Sequence, residues 1–453
     1  MLKLSTFQII LLTVFGSLGV AGIMIFALIQ ANVGGTTIGP VVIWGTLEET
    51  EIRTSLRSAA DEDQRFAEVT YVKKDAVDYD AELKDALASG KGPDLFIMRT
   101  DHAVRDATYA IHIPYAQLSE SQFKGTFLDA AEPFLAEDGV VAVPILVDPL
   151  VLFWNKDALA TAGIAAPPQY WDQVPSMVEK LVKKSDSGTV EKGGIAFGSY
   201  DNIPAAKDIL ATLVMQAGGA ITGKDNAGKL RPLLATQGGT TLSVTALNYY
   251  TEFADPSQPD YSWSKAFKNA EQAFAAADVA MYVGHASDMA SITALNPNLH
   301  FEMARLPQIR TSTYALNTAD VYGLALSRAS KNARGAITVA YLLAAPEITS
   351  PIAKSLGMVS ALRRVLSPNT APAANPSANE QIDALQGLVS GTAKTEDSLL
   401  SYEANISRAW LDPDPDKTGL VFRDMIENTV SGALKASEAV QRADKQINEV
   451  LNN

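Results

Sequence analysis

The chain has 453 residues, a formal net charge of -14 and no cysteine. The charge argues against a nucleic-acid partner, which needs a basic face for its phosphates. The missing thiols exclude a disulfide framework, a thiolate nucleophile and a lipid-modified cysteine, and the length exceeds what one hydrophobic core supports, so two lobes are the default.

In chain order, no charged residue stands between Lys3 and Glu48. Phe7 to Ile29 supplies about twenty apolar residues, the length that matches a hydrocarbon core of roughly 30 Å. Lys3 precedes this stretch and no Arg or Lys follows until Arg53, so the positive-inside bias puts residues 1–6 in the cytoplasm. The expectation is a single-pass anchor in the cell membrane over 7–29, a linker over 30–40 and an extracytoplasmic remainder. A cleaved signal peptide is the competing reading, with Ile29-Gln30-Ala31 a poor cleavage site.

Val41 to Trp44 reads as a short buried strand. Thr46 and Glu49 form the pattern of a capping box, and Ile52, Leu56 and Ala59 mark the inner face of the helix that follows. A strand over Glu68 to Lys73 leads to a helix with Tyr79, Leu83, Ala86 and Leu87 on one side and Gly90 at its end. Leu95 to Met98, entered through Gly92-Pro93-Asp94, is a third strand. This β-α-β-α-β order calls for a parallel sheet in an α/β fold. Further strands are expected at Val140 to Trp154, Val279 to Val283, Phe301 to Arg305 and Val321 to Leu326. Residues 367–379 form a Pro/Ala/Asn-rich loop, and Gly419 to Leu451 is mostly helical.

The order of these segments resembles the family 1 extracellular solute-binding proteins, the carbohydrate-type receptors of ABC importers. The residues that carry the resemblance are Gly90-Lys-Gly-Pro-Asp-Leu-Phe96, Gly139-Val-Val-Ala-Val-Pro144 and Leu150-Val-Leu-Phe-Trp-Asn-Lys-Asp157. Trp171-Asp172, Val279-Ala-Met-Tyr-Val-Gly284, Ala304-Arg-Leu-Pro307 and Ser330-Lys-Asn332 complete the set. The resemblance implies a two-lobe, periplasmic-binding-protein-like (type II) α/β fold with crossing strands at the hinge. By that analogy lobe one is 41–146 with 304–345, and lobe two is 148–302 with 346–453. Val143 to Pro149 would be the first crossing and Arg305 to Pro307 the return. The implied function is capture of an oligosaccharide or related polar solute between closing lobes, and its delivery to ABC permease subunits. Neither enzymatic activity nor a cofactor or metal is expected. A sensor ectodomain of the same fold and, with less support, a glycan hydrolase are the alternatives.

A neutral sugar needs flat aromatics for its ring faces and carboxylates or amides for its hydroxyls. Trp44 closes the first strand, at the end where α/β clefts bind ligand. Trp263 lies in a turn-rich segment that resembles the family's cleft-lining aromatics. Tyr282 ends a strand just before Gly284, where backbone could approach a ligand. Tyr200 and Asp201 share a loop, Asp101 follows the third strand, and Asp148 stands at the first crossing. These eight are the candidate ligand contacts. Core packing is the alternative for each aromatic, and a turn cap the alternative for Asp148. Trp154 and Trp171 read as core, and Trp410 is undecided. The four histidines lack zinc spacing. Gly223 to Lys229 imitates a phosphate loop but is followed by Leu230 instead of Ser or Thr. Asp412 to Asp416 imitates a calcium loop but has Lys417 where glycine is needed.

Overall fold

The computed structural model describes residues 38–235, 239–363 and 396–452. The segment 7–29 and the 367–379 loop lie outside them. Among the described residues no single helix is long and apolar enough to cross a membrane.

The first three strands, β1 (Val41–Gly45), β2 (Val69–Lys73) and β3 (Leu95–Arg99), are parallel, with Val41 beside Val69 and Ile43 beside Leu95. Helices Glu49–Glu62 and Tyr79–Ala88 are their crossovers. The expected capping box at Thr46 does not form. Leu47 turns inward and its carbonyl accepts the Tyr71 hydroxyl, so the helix starts two residues later, with Glu48 as its cap.

The long strand β4 (Ala142–Asn155) is almost wholly buried, the signature of a strand covered on both faces. Chain order continues through β5 (Lys183–Lys184), β6 (Val190–Ile195), β7 (Thr222–Lys224), β8 (Leu230–Pro232), β9 (Val279–His285), β10 (Phe301–Ala304), β11 (Asn317–Leu326), β12 (Val359–Ser360) and β13 (Ser407–Arg408). The main sheet runs β2-β1-β3-β11-β4-β9-β6-β5, with β10 and β12 on β4 and β13 on β11. Strand β4 joins the two halves. Up to Pro149 it pairs with β11, and from Leu150 it pairs with β9 and β10. The imitation phosphate loop is the β7–β8 hairpin, and Asp414 of the imitation calcium loop caps helix Pro415–Val430.

Two apolar cores lie on either side of this junction. The first gathers β1 to β3, the start of β4, β11 and helices Ala333–Leu343 and Pro346–Ser355. The second gathers the end of β4, β6, β9 and helices Val174–Leu181, Ala206–Gln216, Gly239–Glu252, Pro415–Val430 and Ala436–Asn452. Two of the expected boundaries are therefore corrected. Residues 346–361 belong with the first core, because Ile352, Ala353, Met358 and Ala361 pack there and β12 pairs with the early part of β4. The return crossing lies at Asn317 to Val321, where β11 runs along Asp148 and Pro149, and not at Arg305 to Pro307. Leu306 is buried in the second core. A third passage follows helix Glu396–Ile406, whose Leu400 and Ala404 belong to different cores, and continues through β13.

Candidate ligand-binding cleft

The crossings bring polar side chains from both lobes to one place. The end of β3 supplies Arg99 and, just beyond it, Thr100 and Asp101. The crossings supply Asp148 and Asp320, the first turn of helix Ala206–Gln216 supplies Lys207 and Asp208, and the end of β9 supplies His285. Thr100, Asp101, Asp208, His285, Asp320, Arg408 and Trp410 line a void of about 30 Å³ at the floor of the gap between the lobes.

Arg99 pairs with Asp101 and places Nη1 3.2 Å from Asp320 Oδ2. His285 Nε2 lies 3.5 Å from Asp208 Oδ2 and 4.0 Å from Asp320 Oδ2, while its Nδ1 is 3.1 Å from the Asp148 carbonyl. The Ser287 amide and hydroxyl donate to the Asp148 carboxylate at 3.1 and 2.6 Å. Burial works against a charge on His285, but Asp320, Asp208 and Asp148 outweigh it and hold its pKa well above the ordinary imidazole value. Burial likewise opposes the charge on Asp101, yet Arg99 keeps that carboxyl low. Burial wins at Asp148 and Asp320, whose pKa values are raised.

Further out, the lobes touch directly. Arg105, in the short helix Ala103–Asp106, donates to Asp80 and Asp106 on its own lobe and reaches Asp416 at 2.8 Å on the other. The Thr212 and Thr318 hydroxyls meet at 2.5 Å. Lys207 pairs with buried Asp412 at 2.5 Å and lies 5.4 Å from the Trp410 ring centre. Asp80, His102 and Asp106 offer ligand atoms within 4.8 Å of one another, but Arg105 Nη2 sits 2.5 to 3.0 Å from all three and fills that centre.

Of the eight candidates, Asp101 lines the void, and Asp148 lies beside it on the crossing, opposite Asp320 with its carboxylate held by Ser287. Trp263 does neither. It is 0% exposed, stacked on Phe267 at 4.6 Å with its indole N–H donated to Asn202, so it belongs to the core of lobe two. Tyr282 is also core, stacked on Phe153 at 5.8 Å, and its hydroxyl donates to Asp288 at 2.8 Å. Gly284 is explained by the same contact. A Cβ there would collide with Asp288 and the Tyr282 ring, so the close approach is internal. Tyr200 is half-buried, with its amide held by Glu427, and exposed Asp201 is tied to Arg423 and Lys265 within lobe two. Trp44 is half-buried at the end of β1, and the Lys74 ammonium covers its ring at 3.8 Å. Trp171 is core, bonded to Gln216, and Trp154 is half-buried.

The residues the sequence reading passed over are Arg99, Lys207, Asp208, His285 and Asp320. Two had a visible signal: Arg99 ends the apolar run Leu95 to Met98, and Asp320 is a lone acid opening the apolar run of β11. A charge at the end of a buried strand marks the cleft side. Lys207, Asp208 and His285 gain meaning only when the lobes meet.

The chain resembles known proteins in both sequence and fold. Residues 49–348, more than half of its length, match the family described as bacterial extracellular solute-binding protein. A maltotriose-binding protein of Pyrococcus abyssi is 25% identical over 160 residues, and a putative binding protein of Brucella abortus 26% over 100 residues. These alignments span only 33% and 24% of those relatives. Among solved structures, a cyclo/maltodextrin-binding protein complexed with maltotetraose superposes with a TM-score of 0.66 at 15% identity, covering 91% of this chain and 97% of that one. An acarbose-binding receptor of Streptomyces glaucescens gives 0.65 at 16% identity, over 92% of this chain and 99% of its own. A substrate-binding protein of Listeria monocytogenes in complex with cycloalternan gives 0.68 at 13% identity, with the same coverage. The two-lobe architecture is thus shared over nearly the whole chain, and with the family match it shows that this chain belongs to the bacterial extracellular solute-binding proteins, which bind their substrates and do not transform them.

Proposed function

We propose that this protein is an extracytoplasmic receptor that captures an oligosaccharide or related polar solute between its lobes and delivers it to an ABC permease. One observation carries the reading: the floor of the interlobe gap is built from both lobes and from the crossings, with Asp101, Asp208, Asp320 and His285 around one void beside Trp410. Carboxylates and an aromatic face are what hydroxyl edges and a sugar ring require. Because the groups belong to both lobes, ligand favours the state in which the lobes meet. The relatives and neighbours that bind maltotriose, maltotetraose, acarbose and cycloalternan support a saccharide.

Binding to the folded state raises the melting temperature. A scan of the full chain against mono- and oligosaccharides, amino acids, peptides and polyamines is expected to respond to one saccharide class, with compaction in small-angle scattering. A response to amino acids or peptides alone would overturn the saccharide reading.

The uncharged run from Lys3 to Glu48 supports tethering by residues 7–29. The protein is then expected to stay with membranes after alkaline extraction and to co-purify with permease subunits. Co-purification of a kinase would favour the sensor reading instead.

A further inference from the structure

A second space between the lobes is larger than the void at the floor. A groove of about 370 Å³ has one wall in lobe one, from helix Glu120–Thr126 and the turn Asp129–Phe134. Its other wall is in lobe two, from Met215 near the end of helix Ala206–Gln216 and from Ile221, Thr222 and Lys224 at β7. The third passage, Ala409 to Leu411, forms the base, and Thr222 ties the second wall to it by donating to the Leu411 carbonyl at 2.6 Å. This volume falls within the roughly 300–1,000 Å³ of ligand pockets, whereas the floor void has room for about one water. Helix Ala206–Gln216 runs from one space to the other. Asp208 and Ala211 line the void, Thr212 meets Thr318 on the crossing, and Met215 lines the groove.

We propose that this groove is a second binding site, for a short neutral saccharide, and that its occupation favours the state in which the lobes meet. The site itself stands apart from the reading of the cleft as the solute site, and only the coupling between the two rests on that reading.

The inner surface of the groove is mostly carbon, with Pro133 and Ile221 buried and Leu135, Met215 and Trp410 half-buried around them. The rim is ionised and exposed, with Glu120, Lys124 and Glu132 on one wall and Lys224 on the other. Lys124 lies 2.8 Å from Glu120 and 4.0 Å from Glu132, so it already serves both carboxylates and takes the place a metal ion would need. Two acids and two lysines balance, so the rim gives no net attraction to an anion or a cation. A neutral saccharide matches both parts, its C–H faces against the inner carbons and its hydroxyl edges against the rim. The coupling follows from the position of the Thr212–Thr318 contact between the two gaps. Lobes that turn about such a contact narrow one gap as they widen the other. Closing the cleft therefore opens the groove, and a ligand that fits the opened groove stabilises the closed cleft by linkage.

The test is calorimetry and small-angle scattering on the full chain, with maltose, maltotriose and cellobiose as neutral probes and choline and citrate as charged ones. The parent is compared with Asp320→Asn and with two groove-filling variants, Met215→Trp and Ala220→Trp, each checked by its melting profile so that either folded one suffices. Saccharide is expected to bind in the groove as well as in the cleft: Asp320→Asn weakens the cleft event alone, and the groove-filling variants lose the other. Filling the groove is also expected to compact the unliganded chain and to tighten the cleft event about fivefold or more, the lower end of allosteric coupling. Loss of all saccharide binding in Asp320→Asn, with none lost in a folded groove variant, would overturn the groove and leave the receptor reading standing. The reverse pattern would leave the groove standing and overturn capture in the cleft. Binding of choline or citrate without any saccharide, or no response at all, would overturn the saccharide. Unchanged dimensions and cleft affinity in a folded groove variant would overturn the coupling.

Discussion

Glu403 shows how one residue ties the hinge to pH. Its side chain is fully buried, and Oε2 accepts from Asn317 Nδ2 at 2.6 Å. Asn317 Nδ2 also donates to the Leu150 carbonyl, so this one amide links the acid to both crossings. Arg305, the facing cation, lies over the Tyr402 ring. Burial pushes the Glu403 carboxyl up to about 8, from 4.5 in the unfolded chain. Between those values the folded state holds a proton that the unfolded state has lost, so the contribution of Glu403 itself is fully present below about 4.5 and is lost as pH rises toward 8. Denaturant titrations across pH 5 to 9 are expected to show this decline, on the order of 3 kcal/mol, and Glu403→Gln is expected to remove it. An unchanged slope in that variant would refute the assignment. Lys207 and Asp412 make the complementary case, a buried pair in which each charge depends on the other. Asp412→Asn is expected to cost about 3 kcal/mol by removing the direct ion-pair partner of the buried ammonium, read as a fall in melting midpoint.

At the scale of elements, the parallel strands β1 to β3 and their helices were legible because each is specified by its own residues. Periodicity and turn glycines act over a few positions. The return crossing was not legible, because Asn317 to Asp320 look like a polar loop until β4 and β13 pair with them. The site divided along the same line. Asp101 and Asp148 stand beside a strand end and a crossing; the first lines the void and the second pairs opposite Asp320. Trp263 and Tyr282 were chosen as aromatics near loops, but whether such a ring faces a ligand or a core depends on distant neighbours, here Phe267 and Phe153. Helix Pro415–Val430 offers a local test. Asp414 caps it by accepting the Lys417 amide, with Pro415 at its first position. Asp414→Ala is expected to lower stability by about 1 kcal/mol. A melting midpoint equal to that of the parent would show that the cap is not needed.

For the whole molecule the central question is what sets the balance between lobes together and lobes apart. Thr212 and Thr318 meet at the floor, where they are buried and move little if the crossings act as the hinge. The Arg105–Asp416 pair is further out. Its arginine is fixed by Asp80 and Asp106 on one lobe, while Asp416 is largely exposed on the other. An exposed pair of this kind contributes at most about 1 kcal/mol and weakens with salt. That is still enough to shift an equilibrium severalfold, because a two-state population responds exponentially to small differences. Asp416→Asn is therefore expected to raise the radius of gyration of the unliganded protein at low salt. It should also weaken ligand binding by roughly two- to fivefold, the loss of preorganisation that a difference of this size implies. Because Asp416 is exposed and its substitution keeps the side-chain size, the fold should survive, with an unchanged melting profile as the control. High salt should bring the parent protein to the same dimensions as the variant. If the two differ in affinity but never in scattering, Asp416 contacts the ligand and does not latch the lobes.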